Sequence, residues 1–234
     1  INTNSLGILG QFYFNIKESF KSIYQNSNFY EKKISKTFEN SFEYKPSPHL
    51  LSSIIKYQNK KYKIEDFAIE SIWQNSLNPK DYEKLNNFFW FFSLDLKSSK
   101  KTTQTVIKNW ISNNNKFQKK SWEFDLTAKR IISWLSNHQL TYEDSDQEYR
   151  STFDYMIQKQ TNHLLNEIKN SKEVENKMIG CAAIILTGLA YKNEKQYLVN
   201  GLNLLKNIIK SSIDNQGFPK SVSYTHLTLP TNGL

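Results

Sequence analysis

The chain has 234 residues, 38% hydrophobic and 14% aromatic, enough for the core of one ordinary domain or two small ones. Seven Gly and five Pro argue against collagen-like, linker-like and many-turned β chains, no apolar run reaches the length of a membrane-spanning helix, and one cysteine, Cys181, excludes an internal disulfide and a cysteine-cluster metal site. The formal charge is +9, from 31 basic and 22 acidic residues.

Only Arg130 and Arg150 are arginine, so 29 of the basic residues are lysine; there are also 26 asparagines. Abundant Lys, Asn and Ile match the codons of an AT-rich genome. The charge surplus therefore reads either as codon drift on a solvated surface or as a field that draws polyanions. Two arginines are few for phosphate recognition, which favours the bidentate guanidinium, and nucleic acid is not expected as a partner.

In chain order, Ile8, Phe12, Phe14, Ile16, Phe20 and Ile23 recur at mostly helical spacing and predict a first helix over 8–25. A polar, lysine-rich stretch follows to about Tyr44. Lys45-Pro46-Ser47-Pro48 must be extended or turning, because each proline disfavours helix at the residue before it. Residues 62–72 are ambiguous between strand and helix. From Asn78 the pattern is helical: Asn78-Pro79-Lys80-Asp81 supplies a cap, a proline at the first position and an acid in the first turn. Six helices are predicted, over 78–96, 102–112, 125–140, 145–169, 174–191 and 194–213. Ser145 to Glu148 has the form of a capping box, and 214–217 reads as a turn. Short loops make neighbours antiparallel, so the fold expected is all-α, with antiparallel helical hairpins stacking into a solenoid or closing into a toroid. The fifth helix, with Met178, Ile179, Cys181 to Leu186 and Leu189, has little polar face and is expected to be buried all round in an inner layer.

On the third helix, Phe124, Ala128, Ile131 and Leu135 form a core stripe, and Arg130, Trp134 and His138 make a separate line at i, i+4, i+8. A guanidinium that grips a carboxylate beside a flat indole suits an acidic sugar. The competing reading is an amphipathic boundary, with Trp134 in the core and Arg130 paired to an acid. His163 and His49 read as structural or solvated. Acid pairs such as Asp144 with Asp146 are accounted for by capping. No phosphate-cradling glycine loop and no metal-ligand spacing is present, so no cofactor or metal is expected.

Several segments, in order, resemble the heparinase II/III-like polysaccharide lyases, specifically their N-terminal helical domain. Leu85 to Asp95 is similar to that family's aromatic helix. Trp122 to Ala128 with Arg130, Ile131 and Trp134 resembles its W…A-x-R-I-x-x-W helix, and Asn176 to Leu189 its asparagine-led apolar helix. Asp214 to Phe218 resembles its D-G turn, though Asn215 and Gln216 intervene here. The resemblance spans about 60–220 and implies part of an (α/α) toroid, preceded by a lead-in over 1–59, with export to the periplasm or outside the cell. It implies β-elimination on a uronic-acid polysaccharide: a base removes the C5 proton and the glycosidic oxygen leaves from C4. The residue neutralising the uronate carboxylate would be Asn176, with Arg130, Trp134 and His138 as substrate-binding candidates. The family's tyrosine and histidine follow the D-G turn.

Val222 to Thr231 reads VSYTHLTLPT, an uncharged string unlike the rest. One frame of a transposon-end sequencing adapter translates to the same ten residues. Residues 221–234 are therefore set aside as non-native and expected to pack poorly. The gene reads as a metagenomic fragment cut at both ends, lacking the catalytic base and acid and inactive as it stands. The rival expectation is a non-enzymatic helical-repeat scaffold that binds a protein or a polyanion.

Overall fold

Arg130 and Trp134 on one helix face Gln160 and Phe153 on another, and from such pairs the order of the helices follows. The computed structural model describes residues 3–35, 79–94, 100–191, 194–214 and 220. Among these the fold is all-α, without a strand: α1 (Thr3–Gln25), α2 (Asn28–Ile34), α3 (Pro79–Asn87), a 3-10 turn (Phe89–Ser93), α4 (Lys100–Asn114), α5 (Phe124–Ser136), α6 (His138–Thr141), α7 (Gln147–Glu167), α8 (Val174–Ala190) and α9 (Lys195–Ser212). None is long and apolar enough to cross a membrane. The expectations for 45–48, 62–72, the Asn78 cap, 215–218 and the tail 221–234 lie outside the described residues.

The helix directions are fixed by long-range pairs. Asn86 and Phe88 meet Arg130 and Ser133 through their carbonyls, so α3 runs parallel to α5. Arg130 with Gln160, and Trp134 with Phe153, make α5 and α7 antiparallel. Thr161 with Thr187, and Asp154 with Tyr191, make α7 and α8 antiparallel in turn. Helices α3, α5 and α8 therefore run one way, with α5 packed against both of the others. Trp110 against Trp134 and Gln104 on the Glu143 carbonyl turn α4 the opposite way. Gly188 against Leu198 and Gly201 against Ile185 do the same for α9. The long helices thus fall into two sets of opposite direction, and each consecutive pair from α3 onward is antiparallel.

The core is aromatic. The Trp134 ring lies 5.2 Å from Phe88, 5.5 Å from Trp110 and 5.6 Å from Phe153, centroid to centroid. The first two are edge-on contacts, the geometry a ring quadrupole favours. Ala128, Ile131 and Leu135, three of the four residues of the expected stripe, are fully buried, and Phe124 is half-buried.

Four expectations are corrected. The 78–96 helix stops at Asn87, because Phe88 takes φ 58° and the Asn87 side chain accepts the Phe89 N–H at 2.9 Å. A left-handed Phe is strained; here Ser133 donates to its carbonyl at 2.5 Å and holds it. The 125–140 helix ends at Ser136, where Asn137 turns its amide back onto the Ser133 carbonyl, so His138 sits in α6 and not in line with Trp134. The cap of α7 is Asp146, which accepts the Tyr149 N–H at 2.7 Å, while Ser145 donates to the Tyr142 carbonyl. Finally, α8 is not buried all round: α5, α7 and α9 cover it, but Val174, Met178 and Leu189 are 37–39% exposed. The sequence reading also missed α2, which Ser27 caps by accepting the Tyr30 N–H.

The α8–α9 hairpin closes on two glycines. A methyl group at Gly188 would collide with the Leu198 backbone nitrogen. Gly188→Ala is expected to cost about 1–3 kcal/mol by forcing the two helices apart. Urea unfolding checks this, and a midpoint unchanged from the parent chain would refute the close crossing.

Candidate functional site

Arg130 is 0% exposed. Its Nε donates to Gln160 Oε1 at 2.7 Å and Nη1 to the Asn86 carbonyl at 2.8 Å. Nη2 donates to the Ser121 carbonyl at 2.8 Å and to Thr127 Oγ1 at 3.2 Å. The guanidinium carbon stands 3.9 Å from the centre of the Trp110 ring. Every one of these partners is neutral, so the pairing with an acid weighed above is not what holds it. Burial lowers its pKa to about 9, which still leaves it charged at neutral pH. The residue ties α3, α5 and α7 together.

Trp134 is also 0% exposed, and its indole N–H has no hydrogen-bond partner among the described residues. It offers no open ring face to a sugar. His138 is 4% exposed, with Nε2 3.4 Å from a Glu143 carboxylate oxygen. The three side chains are thus placed inside the helical body. Asn176 is half-buried in the first turn of α8. One turn further on, Gly180 lies directly against the Phe124 ring at the start of α5. The two parallel helices therefore bring their N-terminal ends together, and Asn176 stands at that end.

A cavity of about 210 Å³ opens at the same end, between α1 and the start of α5. Trp122, Phe124, His163 and Glu167 contribute to it from the body, and Lys21 and Gln25 from α1. Lys21 Nζ pairs with Glu167 Oε2 at 2.6 Å and pins α1 to α7. Behind this wall, Tyr30 Oη lies 2.7 Å from His163 Nδ1, and His163 Nε2 lies 2.8 Å from the Trp122 carbonyl. A carbonyl only accepts, so Nε2 carries the proton and Nδ1 accepts from the Tyr30 hydroxyl. Tyrosine and histidine are residue types that proton-transfer chemistry uses. Here both are buried and already satisfied by each other. The Lys159 ammonium, buried beneath, pairs with Glu31 and with the Asn115 carbonyl, fastening α2 to α7. Sequence reasoning left His163 as a lone helical residue; the pair with Tyr30 spans 133 positions and has no local signature.

Burial lowers the pKa of His163, with Glu167 raising it and Lys21 and Arg130 lowering it from nearby. Below its ordinary value near 6.5 the unfolded chain takes up a proton that the folded chain refuses. Its contribution to stability is therefore complete above that pH and lost on acidification. Asp154, whose pKa burial raises, works in the opposite sense. The urea midpoint is expected to fall between pH 7 and pH 5, and His163→Gln to flatten that slope; an unchanged slope in the variant would assign it to other groups.

No family model, curated protein or solved structure matches the chain.

Proposed function

We propose that the chain is the helical domain of a polysaccharide lyase of the heparinase II/III-like kind, and that it binds the carboxylate of a uronic-acid polymer at Asn176. The observation that carries this reading is the alternation of helix direction around the side-by-side set α3, α5 and α8. Parallel α3, α5 and α8 alternate along the chain with α4, α7 and α9 running the other way, an order compatible with part of an (α/α) toroid. Three of the four segments that resemble the lyases fall on α3 with its 3-10 turn, on α5 and on α8, which pack side by side; most of the fourth, Asp214 to Phe218, lies outside the described residues. In the reaction, an amide that donates to the uronate carboxylate disperses its charge and makes the C5 proton easier to remove. The unpaired N–H groups of the first turn of α8 add positive potential there. This assigns substrate recognition to the chain; the base and acid follow the D-G turn in the lyases that it resembles.

The complete burial of Arg130 and Trp134 favours the second reading, a helical scaffold, because it removes two of the proposed sugar contacts. Equilibrium binding to polygalacturonate and alginate separates the two. Binding that weakens with salt and drops about tenfold in Asn176→Ala, as loss of a charge-assisted hydrogen bond predicts, supports the lyase reading. Binding indifferent to Asn176→Ala supports the scaffold. A change of ultraviolet absorbance from unsaturated uronate would show turnover by the chain itself and overturn the division of roles.

A further inference from the structure

Helix α1 is docked with its more polar face inward, Phe14 being the one described aromatic residue on that line, beneath the Lys172 ammonium. Tyr13, Ile16, Phe20 and Ile23 follow i, i+3, i+7, i+10, and each is 39–71% exposed on the outer side. Glu18, Lys21, Ser22 and Gln25 occupy the other face and line the cavity against α5 and α7. Burial of apolar surface alone would seat the helix the other way round. What the inward face offers instead is hydrogen-bonding groups around an open volume.

We propose that this cavity binds a neutral pyranose unit. Its volume of about 210 Å³ suits one ring rather than an extended ligand. Phe117 and Phe124 are only half-buried, so each presents ring surface on which the C–H face of a sugar packs. Around them stand acceptors, the carboxylates of Glu18 and Glu167, and donors, the amides of Gln25 and Asn170 and the Lys119 ammonium. A hydroxyl both donates and accepts, and a ring with several hydroxyls engages both kinds of group. A carboxylate or phosphate only accepts, and it would face three carboxylates, those of Glu18, Glu123 and Glu167, against two ammonium groups. An ammonium ligand only donates, so it would leave the amide hydrogens of Gln25 and Asn170 without an acceptor and would stand beside Lys21 and Lys119. The site is also preformed: the Lys21–Glu167 pair fixes two of its walls, and Gln25 is 9% exposed. This site is distinct from the carboxylate contact at Asn176 and does not depend on the lyase reading.

The test is saturation-transfer NMR with the methyl glycosides of glucose, galactose and mannose, set against glucuronate and glucosamine at equal ionic strength. At least one neutral glycoside is expected to bind more tightly than both charged sugars. Ser22→Trp, which fills the volume, is expected to weaken that glycoside about tenfold or more. Asn170→Ala, at an exposed position that leaves folding intact, is expected to weaken it several-fold. Absence of transfer to all three neutral glycosides overturns the proposal, as does a preference for glucuronate or for glucosamine. Undiminished binding in both variants would place the sugar elsewhere and overturn it as well.

Discussion

Arg130→Ala is expected to leave the chain without a cooperative unfolding transition. The guanidinium satisfies the Asn86 and Ser121 carbonyls and the Gln160 amide oxygen, all inside the core. Removing it orphans three acceptors at about 1–3 kcal/mol each and opens a cavity beside Trp110. The total rivals the 5–15 kcal/mol by which an ordinary domain is stable. Burying the charge has its own cost, so Arg130→Met, which fills the volume without a charge, is expected to recover part of the loss. Arg130→Lys is not, since one ammonium cannot reach acceptors set around a planar fork. Circular dichroism with urea titration checks the series. An Arg130→Ala protein as stable as its parent would mean that these hydrogen bonds contribute little.

Ile184→Asp is the second substitution expected to abolish folding. Ile184 is 0% exposed and lies against Gly201 where α8 crosses α9. The change forfeits about 2–3 kcal/mol of apolar burial and places a carboxylate within the buried apolar core. The protein is expected in the insoluble fraction on expression, or soluble but without a sharp thermal transition. A folded, soluble variant would show that this face of α8 is open to water. The same substitution at Met178, already 37% exposed, is expected to be tolerated, and the contrast reports which side of α8 is covered.

Local chemistry made part of this structure legible. Pro79 starts α3, the stripe of Ala128, Ile131 and Leu135 is core, and the class is all-α. What escaped was set from a distance. The break after Asn87 depends on Arg130 and Ser133, more than forty positions away, which claim the carbonyls of Asn86 and Phe88. Helix α2 is seven residues long and lysine-rich, too short for its period to stand out. Its signal was the Ser27 cap, with Tyr30 and Ile34 one turn apart and both fully buried. Periodicity predicted α1 as a helix without revealing which of its faces docks. The Lys21–Glu167 pair and the edge contact of Tyr24 on Tyr30 decide that, and so place the cavity. For the candidate site the line of Arg130, Trp134 and His138 was legible as a pattern, but its polarity misled. A buried arginine with neutral partners is spaced like an exposed one. Asn176 at the head of α8 is what the sequence contributes that the structure leaves at an accessible end.

The most direct measurement is on the Asn176 side chain itself. Its amide resonances, assigned in the nitrogen-15-labelled chain by their loss in Asn176→Ala, can be followed during titration with oligogalacturonate. Binding is expected to shift them in a saturable way, and Asn176→Asp, which sets carboxylate against carboxylate, to abolish saturation while leaving the thermal midpoint intact. Oligogalacturonate that binds without moving the Asn176 amide, or that binds the Asp variant equally well, would contradict recognition of a uronate at the start of α8.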